Sequence, residues 1–284
     1  MQEQDNPAPR TLHLLLTNML DQITPLILTY NEAPNIARAL AGLGWANEIV
    51  VVDSFSDDET VAIAKSFANV RVVQRVFDNH GNQWEFGLKE TGIRTPWVLA
   101  LDADYVVSSE VVGELERLRP EADTDGYRAR FVYCINGKRL RSGIYPPVTV
   151  LYRRDAATYV QDGHTQRVAV QGNVEELRAP LVHDDRKSFR RWLQSQGRYA
   201  ELEAQKLAGA DAGHLDPKDR LRRWCVVVPP AMFVYCLIVR GGVLDGWQGF
   251  YYAFQRTVAE LMLSVNLGRR FTRMNADKHV HSRY

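Results

Sequence analysis

Residues 48–53 read Glu-Ile-Val-Val-Val-Asp, and this stretch decides the fold class. Four consecutive β-branched residues with no polar alternation describe a strand covered on both faces, as in the middle of a parallel sheet. The same kind of element recurs on either side. Residues 23–28, 70–73 and 97–101 form three further short apolar strands. Helical patterns separate them. Ile36, Leu40 and Leu43 share one face of a helix opened by residues 31–34, Asp57 stands where it can cap a helix over 58–67, and residues 84–90 give a third helix. Strand alternating with helix predicts an open α/β fold with a mostly parallel sheet flanked by helices, whose ligands bind beyond the carboxyl ends of the strands.

Beyond residue 126 the pattern changes. Residues 126–170 contain strand-like runs with no long helix between them, which predicts an antiparallel extension of the sheet. Residues 188–207 return to helix, with Trp192, Tyr199, Leu202 and Leu207 near one face. In residues 244–267, Trp247, Phe250, Tyr251, Phe254, Val258, Leu261, Met262 and Val265 fall at helical spacing and form a broad apolar face.

The composition of the 284 residues, 45% hydrophobic and 24% charged, excludes a disordered chain, a collagen-like repeat and a polytopic membrane protein. Net charge is +1, but it is unevenly spread: residues 217–284 hold eleven Lys/Arg against four Asp/Glu, so a +7 tail follows a −6 body. Cys134, Cys225 and Cys236 form no closely spaced pair, which argues against a disulfide framework or zinc site and fits a reducing compartment. The first nine residues lack Lys and Arg, unlike a secretory signal. The longest apolar run, residues 225–239, has 15 residues and includes Pro229 and Pro230, short of the roughly 20 that a membrane-spanning helix requires.

Carboxylates follow the predicted strands. Asp53 ends one, while Asp102 and Asp104 end another, and the latter pair can direct oxygens at a single divalent cation that bridges phosphates. Such residues also cap helices or turns, and that reading stays open for Asp53.

Three strings, TYNEAPNI (29–36), VVDSFSDDET (51–60) and LALDADY (99–105), resemble the nucleotide-sugar-binding half of family 2 inverting glycosyltransferases, which have the GT-A fold. YVQDGHTQRV (159–168), LVHDDRKSFRRW (181–192) and GGVLDGWQGF (241–250) extend the resemblance to bacterial lipopolysaccharide-core β-glucosyltransferases, across nearly the whole chain after residue 22. The resemblance implies an N-terminal extension (1–22), a GT-A catalytic domain (23–210) and a C-terminal helical region (211–284). It also implies donor contacts from Thr29, Asn31 and Glu32, a base contact, most simply to uracil, from Asp53, a ribose or sugar contact from Asp102, and Mg²⁺ or Mn²⁺ ligation by Asp104. Where relatives carry a basic residue followed by Asn, this chain reads Gln83-Trp84-Glu85, leaving Gln83 as the donor contact.

An inverting transfer is one in-line displacement and needs a base for the acceptor hydroxyl. Asp162 is the first candidate and His164 the second, because the His-Glu of relatives is His164-Thr165 here. His183 is a further candidate metal ligand, and Arg186 or Lys187 a candidate diphosphate contact; helix capping by Asp184 or Asp185 is the alternative for that cluster.

Arg220, Arg222, Arg223, Arg240, Arg269, Arg270 and Arg273 flank the apolar segments of the tail, and Trp224, Tyr235, Trp247, Tyr251 and Tyr252 suit an interfacial zone. The expectation is an enzyme peripheral on the cytoplasmic face of the plasma membrane, bound to its anionic surface. It would take a hexose from a nucleotide diphosphate, UDP in the first instance, to a lipid-linked or lipopolysaccharide acceptor. A buried helical hairpin or a dimer interface is the alternative for the tail. No basic patch with interleaved aromatics in the acidic body supports a nucleic-acid partner. A sugar nucleotidyltransferase is the rival enzyme, disfavoured because residues 29–36 lack both glycine and a basic side chain. A non-catalytic envelope scaffold that kept the fold is the third reading.

Overall fold

The computed structural model describes residues 18–162, 165–209 and 217–281. Four parallel strands, β1 (Ile23–Thr29), β2 (Ile49–Asp53), β3 (Val70–Gln74) and β4 (Trp97–Asp102), lie in the order β3-β2-β1-β4. In register, Thr29 is level with Asp53 and Leu28 with Asp102, so three strand ends share one edge. The order reverses between β1 and β4, and a crevice opens at such a reversal.

Side-chain alternation covers both faces. Ile27, Ile49, Val51, Leu99 and Leu101 pack beneath Ile36 and Leu40 of α1 (Ile36–Ala41), while Leu26, Val50, Val52 and Val98 pack against Trp84 and Leu88 of α3 (His80–Lys89). Between these helices, α2 spans Thr60–Lys65. It starts later than expected, and Asp57 does not cap it. The cap position is Glu59, whose side chain accepts no capping bond; Asp58 accepts from the Thr60 amide at 3.0 Å, and the Asp57 amide donates to Asn31 Oδ1 at 2.8 Å. Helix α4 (Ser109–Arg117) completes this half.

The remaining strands are β5 (Tyr105–Val106), β6 (Thr124–Ala129), β7 (Phe131–Ile135), β8 (Lys138–Arg139), β9 (Val148–Arg153), β10 (Ala157–Asp162), β11 (Thr165–Val170), β12 (Asn173–Glu176) and β13 (Leu181–His183). Strand β9 runs antiparallel to both β4 and β6, giving the expected extension, and β12 joins β6 in parallel to complete seven strands. A second sheet has the order β5-β13-β7-β8, and β10 pairs with β11 as a separate hairpin.

Helix α5 (Phe189–Gly209) ends the body, and the tail comprises α6 (Pro217–Arg222), α7 (Val228–Val234) and α8 (Trp247–His281). Pro229 and Pro230 fall in the first turn of α7, where a missing amide hydrogen leaves no helical bond unmade. The run continues as a wide π turn over Tyr235–Val239, and a 3₁₀ turn, Gly242–Asp245, precedes α8. At Gly249 a Cβ would lie 1.9 Å from the Gly242 carbonyl oxygen, so only glycine lets α8 pack on that turn.

The tail is built into the body. Cys236, Leu237, Tyr252 and Ala253 share a buried cluster with Ile135 and Leu140, and Leu263 and Leu267 pack on Ala200, Ala204 and Leu207 of α5. Leu202 is exposed instead of joining that face. Asp245, 3% exposed, accepts from the amides of Arg141 and Ser142 and from the Ser142 hydroxyl, and so holds residues 141–142 against the tail. Among the described residues no helix is long and apolar enough to cross a membrane.

Candidate active site

The loops after β1 and β2 interlock at the carboxyl edge. Asn31 and Phe55 both take left-handed φ, 58° and 60°, one in each loop. Non-glycine residues in that region carry strain and tend to mark functional loops. The backbone amides of Asn31, Glu32 and Ala33 donate to Ser56 Oγ, Thr60 Oγ1 and Asp58 Oδ2. Asp53 is fully buried beneath them. Its carboxylate accepts from the Thr29 hydroxyl at 3.1 Å, the Ser56 amide and Gln74 Nε2 at 3.0 Å each, and the Ser56 hydroxyl at 2.5 Å. Gln83, 1% exposed, donates to Ser54 Oγ and accepts from Arg75 Nη1 at 2.6 Å. Arg75, immediately after β3, is therefore a cation at this edge that the sequence reading did not single out.

At the neighbouring edge Asp104 lies in the turn between β4 and β5. The second sheet brings His183 there through its pairing with Tyr105 and Tyr133. His183 Nε2 stands 3.3 Å from Asp104 Oδ2. Among the described residues, the buried atoms Asp104 Oδ1 and His183 Nδ1 have no hydrogen-bond partner. Tyr105, Tyr133 and Tyr145 surround the imidazole edge-on, with centroids 4.7–5.3 Å away. Burial and the Asp104 charge push Asp102 up to about 6. Against burial, the charges of His183 and Lys187 hold Asp104 down at about 2. Burial alone would lower His183, but Asp104 raises it.

A third group ties these edges together. Lys187 Nζ is 2.7 Å from Glu32 Oε1, and against burial the carboxylates of Asp104, Glu32 and Asp185 raise its pKa. Burial takes Glu32 up to about 7 despite the nearby lysine. Asn35, 1% exposed, donates to Glu32 and Asp185 and accepts from Arg38 Nη2 and the Arg186 amide. Arg38 meets Asp184 at 2.7 Å, and Arg186 also turns to Asp184, at 2.9 Å. Thus Lys187, not Arg186, is the cation beside Asp104. Asn35 and Arg38 are hubs the sequence reading missed; only their place, at the end of the loop after β1 and in α1, could have pointed to them.

Thr29, Asn31, Glu32, Asp53, Gln83, Asp102, Asp104 and His183 therefore gather at one edge of the sheet. Asp162 ends β10, a strand fixed to α3 where Glu85 accepts from the Tyr159 amide at 3.0 Å and Tyr159 stacks on Trp84. Its side chain and His164 lie outside the described residues. Among the described residues no group of three His, Cys, Asp or Glu is close enough to hold a metal ion; Asp104 and His183 offer two donors.

Residues 26–166 match the family model for glycosyl transferase family 2. The chain is 33% identical over 144 residues to an uncharacterized glycosyltransferase of Rickettsia bellii, a match over 49% of this chain and 48% of that protein. It thus spans about half the length of that curated relative. It is 23% identical over 275 residues to the lipopolysaccharide core biosynthesis glycosyltransferase LpsC of Rhizobium meliloti, covering 87% of this chain and 92% of LpsC. A crystal structure of S. aureus TarS in complex with UDP-GlcNAc superposes with a TM-score of 0.48 at 16% identity, over 87% of this chain and 91% of that one. The interlocked β1 and β2 loops lie inside residues 26–166, the stretch that matches glycosyl transferase family 2.

Proposed function

We propose that this chain is an inverting glycosyltransferase of bacterial envelope glycan synthesis, moving a hexose from UDP to a lipid-linked or lipopolysaccharide acceptor. The observation that carries the reading is the meeting of Asp104 and His183, each with a buried polar atom lacking a partner, at the carboxyl edge of a family 2 domain. Unmatched buried polar atoms are costly, and a ligand that occupies them repays that cost. LpsC, named for lipopolysaccharide core biosynthesis and similar over most of its length, supports the substrate class.

Asp104 and His183 would hold a Mg²⁺ or Mn²⁺ ion, as a carboxylate and an imidazole suit either. Bound there, the ion would supply charge stabilisation for the departing diphosphate. In this reading the β1 and β2 loops grip the nucleoside, with Asp53 setting their shape. Asp102 faces the ribose or sugar, and Lys187 adds positive charge beside the phosphates. A carboxylate at Asp162, or the imidazole of His164, removes the acceptor hydroxyl proton as the new C1–O bond forms and the bond to UDP breaks. The sugar nucleotidyltransferase alternative needs free backbone amides to cradle a triphosphate, whereas those of Asn31, Glu32 and Ala33 are already spent on Ser56, Thr60 and Asp58. A screen of UDP-, GDP- and TDP-hexoses with and without Mn²⁺ tests the reading through release of the nucleoside diphosphate. Absence of both metal-dependent UDP binding and UDP release would overturn it in favour of the scaffold.

The same proposal places the protein at the cytoplasmic face of the membrane. One face of α8 is buried on the body, while Trp247, Phe250, Phe254, Leu261 and Val265 form an exposed stripe on another. Trp224, Val226, Ile238, Val239 and Leu244, on the segments before α8, are exposed as well. Exposed apolar stripes of this kind mark interaction sites. The basic contribution is smaller than the sequence suggests. Arg222 pairs with Glu203 and Glu260, Arg223 donates to the Leu207 carbonyl and Arg240 to that of Gly143. Binding therefore rests mainly on apolar contact. Sedimentation with anionic vesicles that persists at high salt but is lost in a Leu244→Glu/Phe254→Glu variant supports a membrane; a dimer of the free protein that the same variant dissociates supports an interface between copies.

A further inference from the structure

Beside the pair of Asp104 and His183 lies a shallow crevice of about 50 Å³ whose outer wall comes from the tail. Tyr133, Asp185 and Lys187 form the inner wall, and each also borders the candidate active site. Trp192, Tyr251 and Gln255 form the outer one. We infer that this crevice is the subsite for the terminal sugar of the acceptor glycan, an inference that rests on the transferase reading above.

Three observations point to a saccharide. First, Trp192 is held flat by Phe189, with ring centroids 5.5 Å apart and planes inclined by 15°. Tyr251 contacts the same Phe189 at 6.3 Å and Trp247 at 5.8 Å. Preset aromatic faces bind the C–H face of a pyranose at little entropic cost, as rigid aromatic anchors do in other binding sites. Second, Gln255 is 7% exposed and lines the crevice. A side-chain amide offers two donors and an acceptor, which suits sugar hydroxyls because they act as both. Third, Asp185 adds carboxylate oxygens, and Lys187 donors, on the wall nearest Asp104. The small volume admits the edge of one ring, so recognition falls on a terminal residue.

The position also says what the sugar is attached to. Tyr251 and Gln255 are one helical turn apart on α8, and Trp247, Phe250 and Phe254 of the exposed stripe belong to the same turns. A glycan whose sugar sits in the crevice can leave its lipid along that stripe. A lipid-borne acceptor uses both surfaces; a free sugar uses only one.

The test is calorimetric titration of the full-length protein, held in UDP and Mn²⁺, with a panel of oligosaccharides released from lipopolysaccharide core and from polyprenyl carriers. The wild type is expected to bind at least one. Trp192→Ala should weaken that binding at least tenfold and Gln255→Leu about fivefold, Trp192→Phe should restore most of it, and UDP affinity should stay within twofold throughout. Gln255→Leu keeps volume and serves if Trp192→Ala fails to fold. Binding by the folded variants as tight as wild type, or no binding by a wild type that holds UDP, overturns the subsite alone. Failure of the wild type to bind UDP overturns the transferase reading, and this inference with it.

Discussion

Asp53 and Asp104 are two carboxylates at the carboxyl edge of one sheet, on either side of β1, and their surroundings are opposite. Asp53 is surrounded by donors from Thr29, Ser56 and Gln74. Asp104 has His183 at 3.3 Å on one oxygen and, among the described residues, no hydrogen-bond partner on the other. The difference separates two uses of the same residue type: a saturated carboxylate shapes loops, whereas an unsaturated one is kept ready for something that is not part of the chain. Asp245 in the tail belongs with Asp53.

Variants can break this contrast. The largest effect is expected at the unsaturated site. Asp104→Asn should lower transfer about 10³-fold, the scale for removing one preorganised charge-stabilising group. Its melting temperature should fall, because the charges of His183 and Lys187, which hold this carboxyl well below its ordinary value, lose their partner. A wild-type melting temperature would show that Asp104 has no favourable charge partner in the folded chain.

Asp53→Ala should act chiefly on stability. It strands the Ser56 amide and Gln74, and about 3 kcal/mol of stability should go with them, a drop in melting temperature of roughly 6–12 °C. Scanning calorimetry reads this directly, and a wild-type melting point would remove Asp53 from the class of scaffold carboxylates.

The smallest effect is expected at Asp245, where Asp245→Ala should cost about 2 kcal/mol. A pH signature accompanies it. Against burial, the hydrogen bonds from Ser142 and Arg141 hold this carboxyl below its ordinary 3.8. Its contribution to stability is therefore complete above 3.8 and is lost as pH falls through the lower folded value. Denaturation midpoints measured from pH 5 to 2 should fall less steeply in Asp245→Asn than in wild type; parallel slopes would sink the assignment.

The sequence made the parallel half of the sheet legible because each of its strands is locally encoded, as apolar runs bounded by turn residues. Asp102, Asp104 and Asp53 were readable for the same reason: each sits at the end of such a run. What escaped was non-local. Asn35 reaches Asp185 across 150 positions, and nothing in the order of residues near Asn35 announces it. The second sheet, which carries His183 to Asp104, joins β5, β7, β8 and β13 from distant parts of the chain. The arginines of the tail were visible as charges, but whether they face lipid or Glu203 and Glu260 depends on packing that composition does not encode.

The grip of Asp245 on residues 141–142 has a practical consequence for making a tail-less enzyme. Tyr145, a few residues along the same loop, lies 4.9 Å from His183 and shares a 2.8 Å hydroxyl contact with Tyr105. Cutting the chain near residue 210 would strip the cover from Ile135 and Leu140 and loosen the loop that carries Tyr145. The exposed stripe is better removed by replacing outward side chains such as Leu244 and Phe254 than by deletion, because that stripe and the support of the Tyr145 loop are one piece of protein.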